Sequence, residues 1–282
     1  MGLHAGRAVN ALSVSRSLRF RKDHTFPGWV FVIPSLVLVL LIGLPVLALI
    51  VRSIDRDFFT YILSSSALKA LRLSLETSTI SVGLALLSGT PLAYLLAHWK
   101  FRGKALVELL VDLPVVLPPS VAGIGLLMAF GRLGILGSWL SAIGVTIPFT
   151  TAAEVMAQTF VASPFLVRSA RVGFLAIDQQ LQEAARIEGA SEWQVFRHVM
   201  FPQAGRAVLT GVILAWARAL GEFGATLLFA GNLEGKTQTI PLAIYIGFEQ
   251  NTHIALVLSV MLLAVSIVLL TLLRTFESTN KE

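Results

Sequence analysis

An all-α, polytopic membrane protein with six transmembrane helices is the fold that this sequence predicts. Of its 282 residues, 55% are hydrophobic and only 13% are charged, whereas soluble domains carry about 25% charged residues. The hydrophobic residues also fall in long runs without charge, and a helix needs about 20 such residues to cross a hydrocarbon core of roughly 30 Å. Composition and patterning together exclude an ordinary soluble fold.

Four of the six spans are charge-free runs that can be assigned directly, and two are weaker. The fourth run is short, so it crosses the bilayer only if its helix extends past Glu154 or Arg168. The fifth run is long enough but is interrupted by Arg218 and Glu222. In chain order, the predicted spans are residues 29–51, 77–97, 113–131, 155–167, 207–233 and 254–273.

Lysine and arginine predict the side of each connection, because they collect on the cytoplasmic side of a membrane. Of the 22 Lys and Arg residues, 15 fall on the side that includes both termini, six fall on the other side, and Arg218 lies within a span. We therefore expect a cytoplasmic segment at 1–28, a single transmembrane domain at 29–273 and a cytoplasmic tail at 274–282. The net charge of +6 then reflects topology and does not indicate nucleic-acid binding.

The longest cytoplasmic connection contains two predicted short helices at about residues 178–205. Ser191 and Gln194 have the spacing of a capping box, which begins a helix. Gly189 can supply the bend before it, and Pro202 is expected to end it. The apolar residues at helical spacing are Leu181, Ala184 and Ala185 on the first helix, and Trp193, Phe196, Val199 and Met200 on the second.

Pattern alone leaves two interpretations of this connection. An amphipathic hairpin lying on lipid would have the same apolar spacing. A hairpin on lipid would, however, favour basic residues on its polar face, and this one carries Glu183, Glu188 and Glu192. The acidic residues favour a surface made for a protein partner.

Three pieces of this connection resemble the EAA loop of binding-protein-dependent ABC importer permeases. They are Glu183-Ala184-Ala185, Gly189 and Val199-Met200-Phe201-Pro202, with valine and phenylalanine where the usual pattern has isoleucine and leucine. The resemblance implies that the loop docks on a separate ATPase subunit. The implied ATPase-coupling residues are Glu183, Ala184, Ala185, Arg186, Gly189, Ala190, Ser191, Trp193, Phe196 and Pro202.

Further segments resemble the molybdate permeases of this family, namely residues 112–120, 130–137, 165–171, 217–226 and 231–245. The resemblance implies a permease for molybdate or tungstate in a prokaryotic inner membrane, with sulfate as the alternative substrate. It also implies a second copy of the chain, two ATP-binding cassette subunits and an extracytoplasmic oxyanion-binding protein. On this interpretation the chain binds no cofactor itself, because the partner subunit uses the ATP.

Two places within the spans are candidates for the substrate pathway. Pro118, Pro119 and Ser120 interrupt the third span, and a broken helix at membrane depth is tolerated where it lines a cavity. Arg218 and Glu222 lie one helical turn apart, so an ion pair between them is expected. A packing kink at the prolines and a purely structural ion pair are the alternatives to a role in the pathway.

Nothing in the sequence predicts catalysis or a metal site. The five histidines are scattered and there is no cysteine. Gly231-x-x-x-Gly235-Lys236-Thr237 is one residue short of a phosphate-binding loop and follows a membrane span. A channel or secondary transporter that needs no ATPase is the alternative function, but it predicts matched breaks in two halves of the chain and leaves the cytoplasmic loop unexplained.

Overall fold

A computed structural model describes residues 29–278, and this part of the chain is helical with no strand. The predicted segment at 1–28 and the last four residues of the tail lie outside the described residues. A short π-helical segment, Val195–Met200, joins α9 to α10. The helices are α1 (Trp29–Ser53), α2 (Phe58–Ile62), α3 (Ser65–His98), α4 (Lys104–Val116), α5 (Pro119–Phe130), α6 (Gly137–Ala142), α7 (Thr151–Leu175), α8 (Gln179–Ile187), α9 (Glu192–Gln194), α10 (Phe201–Leu220), α11 (Gly224–Phe229), α12 (Ile240–Gln250) and α13 (Thr252–Ser278).

Each of the six predicted spans coincides with helical structure, but two of them are broken. Within residues 29–278, length and hydropathy identify four helices able to cross a membrane, or five if α7 and α8, bent by 67°, count as one span. The short fourth run extends past both Glu154 and Arg168 to form the 25-residue α7. The third span is divided between α4 and α5, and the fifth between α10 and α11.

The break in the third span follows from its prolines. Leu117 and Pro118 both have extended backbone, with ψ of 133° and 135°. A residue that precedes proline is disfavoured in the helical region, because the proline ring clashes with its backbone. Since Pro118 and Pro119 are consecutive, two successive residues leave the helix, and α5 restarts with Pro119 in its first turn.

The fifth predicted span is also broken. Helix α10 ends at Leu220, and α11 begins at Gly224 after Phe223 adopts φ −133° and ψ −54°. The charged residues predicted to interrupt this span therefore mark a real end of the helix.

Contacts divide the chain into two units, residues 1–48 and residues 49–282. The first unit contains residues 29–48 of α1, and their side chains are exposed. In the second unit, α7 packs against both α3 and α10 through small residues. A methyl group added at Gly211 would lie 3.0 Å from Ser169 Cβ and 3.1 Å from Leu166 Cα. The buried small residues of this contact are Ala85, Ala162, Ala215 and Ala219.

The connections gather at two opposite ends of the second unit. At one end, Thr151 Oγ1 donates to Lys236 O at 2.9 Å, and His253 Nδ1 contacts Asp55 Oδ2 at 2.9 Å. All four residues lie in or next to connections predicted to face outside. The last turns of α3 and α7, the first turn of α4 and the α8 segment lie at the other end. This arrangement agrees with alternating spans, while the side that faces the cytoplasm remains a prediction.

Candidate functional site

The segment from residue 178 to residue 202 forms a bent hairpin, which we call the hairpin. Asp178 caps α8 by accepting a hydrogen bond from Gln180 N at 2.9 Å. After α8, Gly189 N donates to Arg186 O and Ala190 N donates to Ala185 O, both at 3.0 Å. These two bonds close the helix end around Gly189, whose φ of +87° favours glycine. The predicted bend at Gly189 is confirmed.

The second arm of the hairpin begins at the predicted capping box. Gln194 N donates to Ser191 Oγ at 3.3 Å, and Ser191 N donates to Gln194 Oε1 at 2.8 Å. The arm then runs without interruption from Glu192 to Leu220. The expectation that Pro202 ends this helix is therefore wrong.

Two features explain why the helix passes through Pro202. The proline lies in the first turn of α10, where a missing N–H is tolerated. The wide π-helical turn immediately before it changes the hydrogen-bond register of the backbone. The π turn also brings residues five apart onto one face, so Val195 and Met200 are both fully buried, whereas Trp193 is 64% exposed.

The inner face of the hairpin is anchored by an aromatic cluster. The Phe196 ring lies 5.0 Å from the Tyr94 ring of α3 and 6.1 Å from the Phe174 ring of α7, and the Trp193 ring stacks on it at 5.6 Å. Val195 joins the same core, which joins the last turns of α3 and α7 to the start of α10. The hairpin is thus packed rigidly onto the ends of long helices.

The outer face of the hairpin is exposed. Ala184 lies on it, and Ile187 is 86% exposed. Arg186 makes a two-pronged contact with Glu192, with distances of 2.7 and 3.1 Å, which ties the two arms together. These hydrogen bonds lower the pKa of the Glu192 carboxyl, so the pair stays ionised at neutral pH.

The predicted coupling residues divide between the two faces. On the inner face, three of these residues are partly buried against the core, namely Ala185, Ala190 and Phe196. The other seven coupling residues are exposed, namely Glu183, Ala184, Arg186, Gly189, Ser191, Trp193 and Pro202.

The two broken spans meet at their breaks. A methyl group at Gly224, the first residue of α11, would lie 2.7 Å from Pro119 Cβ at the start of α5. A methyl group at Gly123 would lie 2.8 Å from Ala225 O. The sequence predicted neither contact, yet the structure brings the predicted pathway residues Pro119 and Ser120 next to the start of α11.

Arg218 and Glu222 form the expected ion pair, with Arg218 Nη1 2.7 Å from Glu222 Oε2. The second carboxylate oxygen of Glu222 accepts a hydrogen bond from Ala225 N at 2.8 Å. Glu222 is 1% exposed and Arg218 is 29% exposed. Glu222 therefore links the end of α10 to the start of α11, while part of Arg218 remains accessible.

A buried polar group was missed because its members come from distant parts of the sequence. Ser81 Oγ lies 3.1 Å from Gln158 Oε1, and Gln158 Nε2 donates to Glu154 Oε1 at 3.3 Å. All three side chains are almost fully buried. Together they join α3 to α7 inside the bundle.

The glycine-rich loop after α11 has a structural explanation. Leu233 N donates to Thr237 Oγ1 at 3.0 Å, and Lys236 N donates back to Leu233 O at 3.0 Å. Thr237 is fully buried. The loop is closed on itself, so its threonine is not free to contact a phosphate.

Comparison with known proteins identifies the family. A model for the binding-protein-dependent transport system inner membrane component matches residues 89–281. The molybdenum transport system permease protein ModB of Mycobacterium bovis is 40% identical over 240 residues, which cover 85% of this chain and 90% of that protein. The probable sulfate transport system permease protein cysT of Chlorokybus atmophyticus is 32% identical over 263 residues, which cover 92% of each chain.

A solved structure supports the same fold. The crystal structure of a bacterial ABC transporter involved in the import of the acidic polysaccharide alginate superposes with a TM-score of 0.72 at 18% identity, covering 90% of this chain and 96% of that chain. The all-α permease fold and the predicted family are both confirmed. The chain belongs to the family of binding-protein-dependent transport system inner membrane components, the permease subunits of ABC importers.

Proposed function

We propose that this chain forms half of the membrane pathway of an ATP-driven importer for a tetrahedral oxyanion, molybdate or tungstate. The hairpin is the observation that carries this proposal. Its inner face is packed into the ends of α3 and α7, and its outer face is exposed. A partner that holds the outer face can therefore move several long helices together as a rigid body.

The proposed partners are a second copy of the chain, two ATP-binding cassette subunits and an extracytoplasmic oxyanion-binding protein. Each ATPase subunit contacts one hairpin and closes when it binds ATP. The excess of Lys and Arg on the hairpin side supports a cytoplasmic location for this contact. The family description, which names dependence on a binding protein, supports the extracytoplasmic partner.

The proposed pathway passes the meeting point of the two broken spans. Backbone that leaves the helix at membrane depth needs a cavity or protein partners around it. Pro119 and Ser120 are exposed at the N-terminus of α5, the positive end of its helix dipole, which favours an anion. Arg218 adds a positive charge nearby, and Glu222 orients Arg218 and the start of α11.

The substrate class is supported by the relatives. The molybdenum transport permease shares more identity with this chain than the sulfate transport permease does. The segment 231–245, which resembles molybdate permeases, contains the closed loop at residues 233–237 and the start of α12. Sulfate is therefore the second candidate substrate.

Uptake of labelled molybdate into proteoliposomes that contain the chain, its ATPase subunit and its binding protein tests this function. We expect uptake that requires ATP and is inhibited by excess tungstate but not by excess sulfate. Uptake without the ATPase subunit would instead favour a channel or secondary transporter. Inhibition by sulfate alone would favour the sulfate branch.

A further inference from the structure

Two ion pairs connect α4 to α7 on the hairpin side of the molecule. Arg168 Nε lies 2.6 Å from Asp112 Oδ1, and Arg171 Nη2 lies 2.7 Å from Glu108 Oε1. The acidic residues are one helical turn apart on α4, and the basic residues are about one turn apart on α7. The helices run antiparallel at this contact, so the pairs form a two-rung ladder, which we call the α4–α7 ladder.

The ladder fixes the position of a helix that has little other attachment. Among the residues of α4, only Pro114 is buried. Val107 and Val111 are partly buried against the core beneath the hairpin. With so few apolar contacts, α4 could slide along α7. The two ion pairs favour one position of α4, because only there do both acidic residues face their basic partners.

The ladder lies between the hairpin and the break in the third span. About one turn beyond Arg171, α7 ends and the chain enters the hairpin. On α4, Asp112 lies roughly 8 Å along the helix from Leu117, where the break begins. The helix α4 therefore begins near the hairpin and ends at the proposed pathway.

We infer that the α4–α7 ladder positions α4 so that displacement of the hairpin reaches the break at Leu117 and Pro118. Glu108, Asp112, Arg168 and Arg171 are positioning residues that transmit motion and need no contact with either ATP or the oxyanion. This inference rests on the proposed function of the hairpin. Asp112, Arg168 and Arg171 belong to the segments 112–120 and 165–171, which resemble molybdate permeases. The proposed pathway gives these three charged residues no role, whereas the ladder does.

The two rungs differ in their geometry. Arg168 donates a hydrogen bond to Asp112. The Arg171–Glu108 contact is ionic, but its geometry forms no hydrogen bond, and Arg171 Nε has no hydrogen-bond partner. The Arg171–Glu108 side chains are 33% and 29% exposed, against 50% and 45% for Arg168–Asp112, so the Arg171 rung is the better shielded from water.

Charge reversal and charge exchange test the ladder in the reconstituted importer. Arg171→Glu places a second negative charge beside Glu108, so we expect uptake to fall about tenfold. The complex should still contain its ATPase subunit and hydrolyse ATP. Glu108→Arg should have the same effect. The exchanged double variant, Arg171→Glu with Glu108→Arg, restores opposite charges and should recover uptake to within about threefold of the original.

The exposed pair Arg72–Glu76 supplies the matched control, because it links two turns of a single helix. Its reversal, Arg72→Glu, should leave uptake unchanged. Normal uptake in Arg171→Glu, or a double variant no better than the single ones, would overturn the inference and leave the hairpin proposal intact. Loss of the ATPase subunit from the single variants would also overturn it, because the ladder would then belong to docking. Absence of ATP-dependent uptake in the unmodified importer would instead remove the proposed function.

Discussion

Aromatic rings anchor the hairpin, whereas the two broken spans meet through glycines. Phe196 contacts rings from both α3 and α7 and leaves the outer side of the hairpin exposed. At the breaks, α5 and α11 approach through Gly123 and Gly224. Large interlocking side chains resist relative motion, and small residues allow close backbone approach.

This difference in packing indicates that the hairpin moves as a rigid body, whereas the backbone changes conformation at the breaks in the third and fifth spans. The hairpin and the ends of α3 and α7 behave as one rigid piece, because displacing Phe196 would open their shared core. The backbone leaves the helical conformation at Leu117 and Pro118 and again at Phe223, so torsion angles can change there without unwinding a helix. The four variants below probe one region or the other.

The largest expected effect comes from the outer face of the hairpin. Ala184→Asp places a charge in the proposed contact with the ATPase without disturbing the core, because Ala184 is exposed. We expect uptake to be abolished while the protein stays in the membrane and loses its ATPase subunit. Ala184→Ser, which stays small and uncharged, is the control and should keep most of the uptake. Normal uptake in Ala184→Asp would remove the coupling role of this face.

The inner face should give the next largest effect. Phe196→Ala removes the ring that joins the hairpin to Tyr94 and Phe174. We expect the ATPase subunit to remain bound but uptake to fall about tenfold, because its motion no longer reaches α3 and α7. Phe248→Ala, at a side chain that is 68% exposed, provides the matched control. Equal uptake in the two variants would show that the aromatic cluster transmits nothing.

Two glycines on α5 give a matched test of the breaks. A methyl group at Gly123 meets Ala225 O at 2.8 Å, whereas one at Gly125 meets no atom within 4 Å. We expect Gly123→Ala to lower stability by about 1–3 kcal/mol through overpacking, and to slow uptake. Gly125→Ala should leave uptake unchanged and should not lower stability, because alanine favours a helix more than glycine does. Thermal unfolding of the purified chains and uptake rates provide the measurements, and identical behaviour of the two variants would argue against close packing of α5 and α11.

The smallest effect is expected at Glu222. Glu222→Gln keeps the shape and an acceptor for Ala225 N but removes the charge that pairs with Arg218. Because Arg218 is 29% exposed, water replaces part of the lost interaction, and we expect a loss of roughly 1 kcal/mol with uptake slowed several-fold. ATPase binding should not change. An unchanged uptake rate would favour a purely structural ion pair.

Local features of the structure followed well from the sequence. The Ser191–Gln194 capping box and the bend at Gly189 depend on neighbouring residues, so their spacing was sufficient to predict them. The i,i+4 pair of Arg218 and Glu222 followed for the same reason. The helical segments at residues 29–51, 77–97, 113–131 and 254–273 followed from the length of their charge-free runs.

Features that depend on tertiary contacts could not be predicted from the sequence. Pro202 lies within a continuous helix because a π turn precedes it, and such turns have no simple sequence pattern. Packing of Gly224 against Pro119 joins residues that are far apart in the chain. The α4–α7 ladder likewise pairs charges from separate spans, so the sequence showed the charges but not their partners.

Cross-linking from the hairpin to the ATPase subunit tests the central claim most directly. The chain has no cysteine, so single-cysteine variants can be made without removing any native residue. Ile187 is 86% exposed on the hairpin, and Leu133 is fully exposed in the connection after α5, predicted to lie on the opposite side. A cysteine at 187 should cross-link to the ATPase subunit and be protected from impermeant reagents in intact cells, whereas a cysteine at 133 should do neither. Labelling of position 187 from outside the cell would contradict the account.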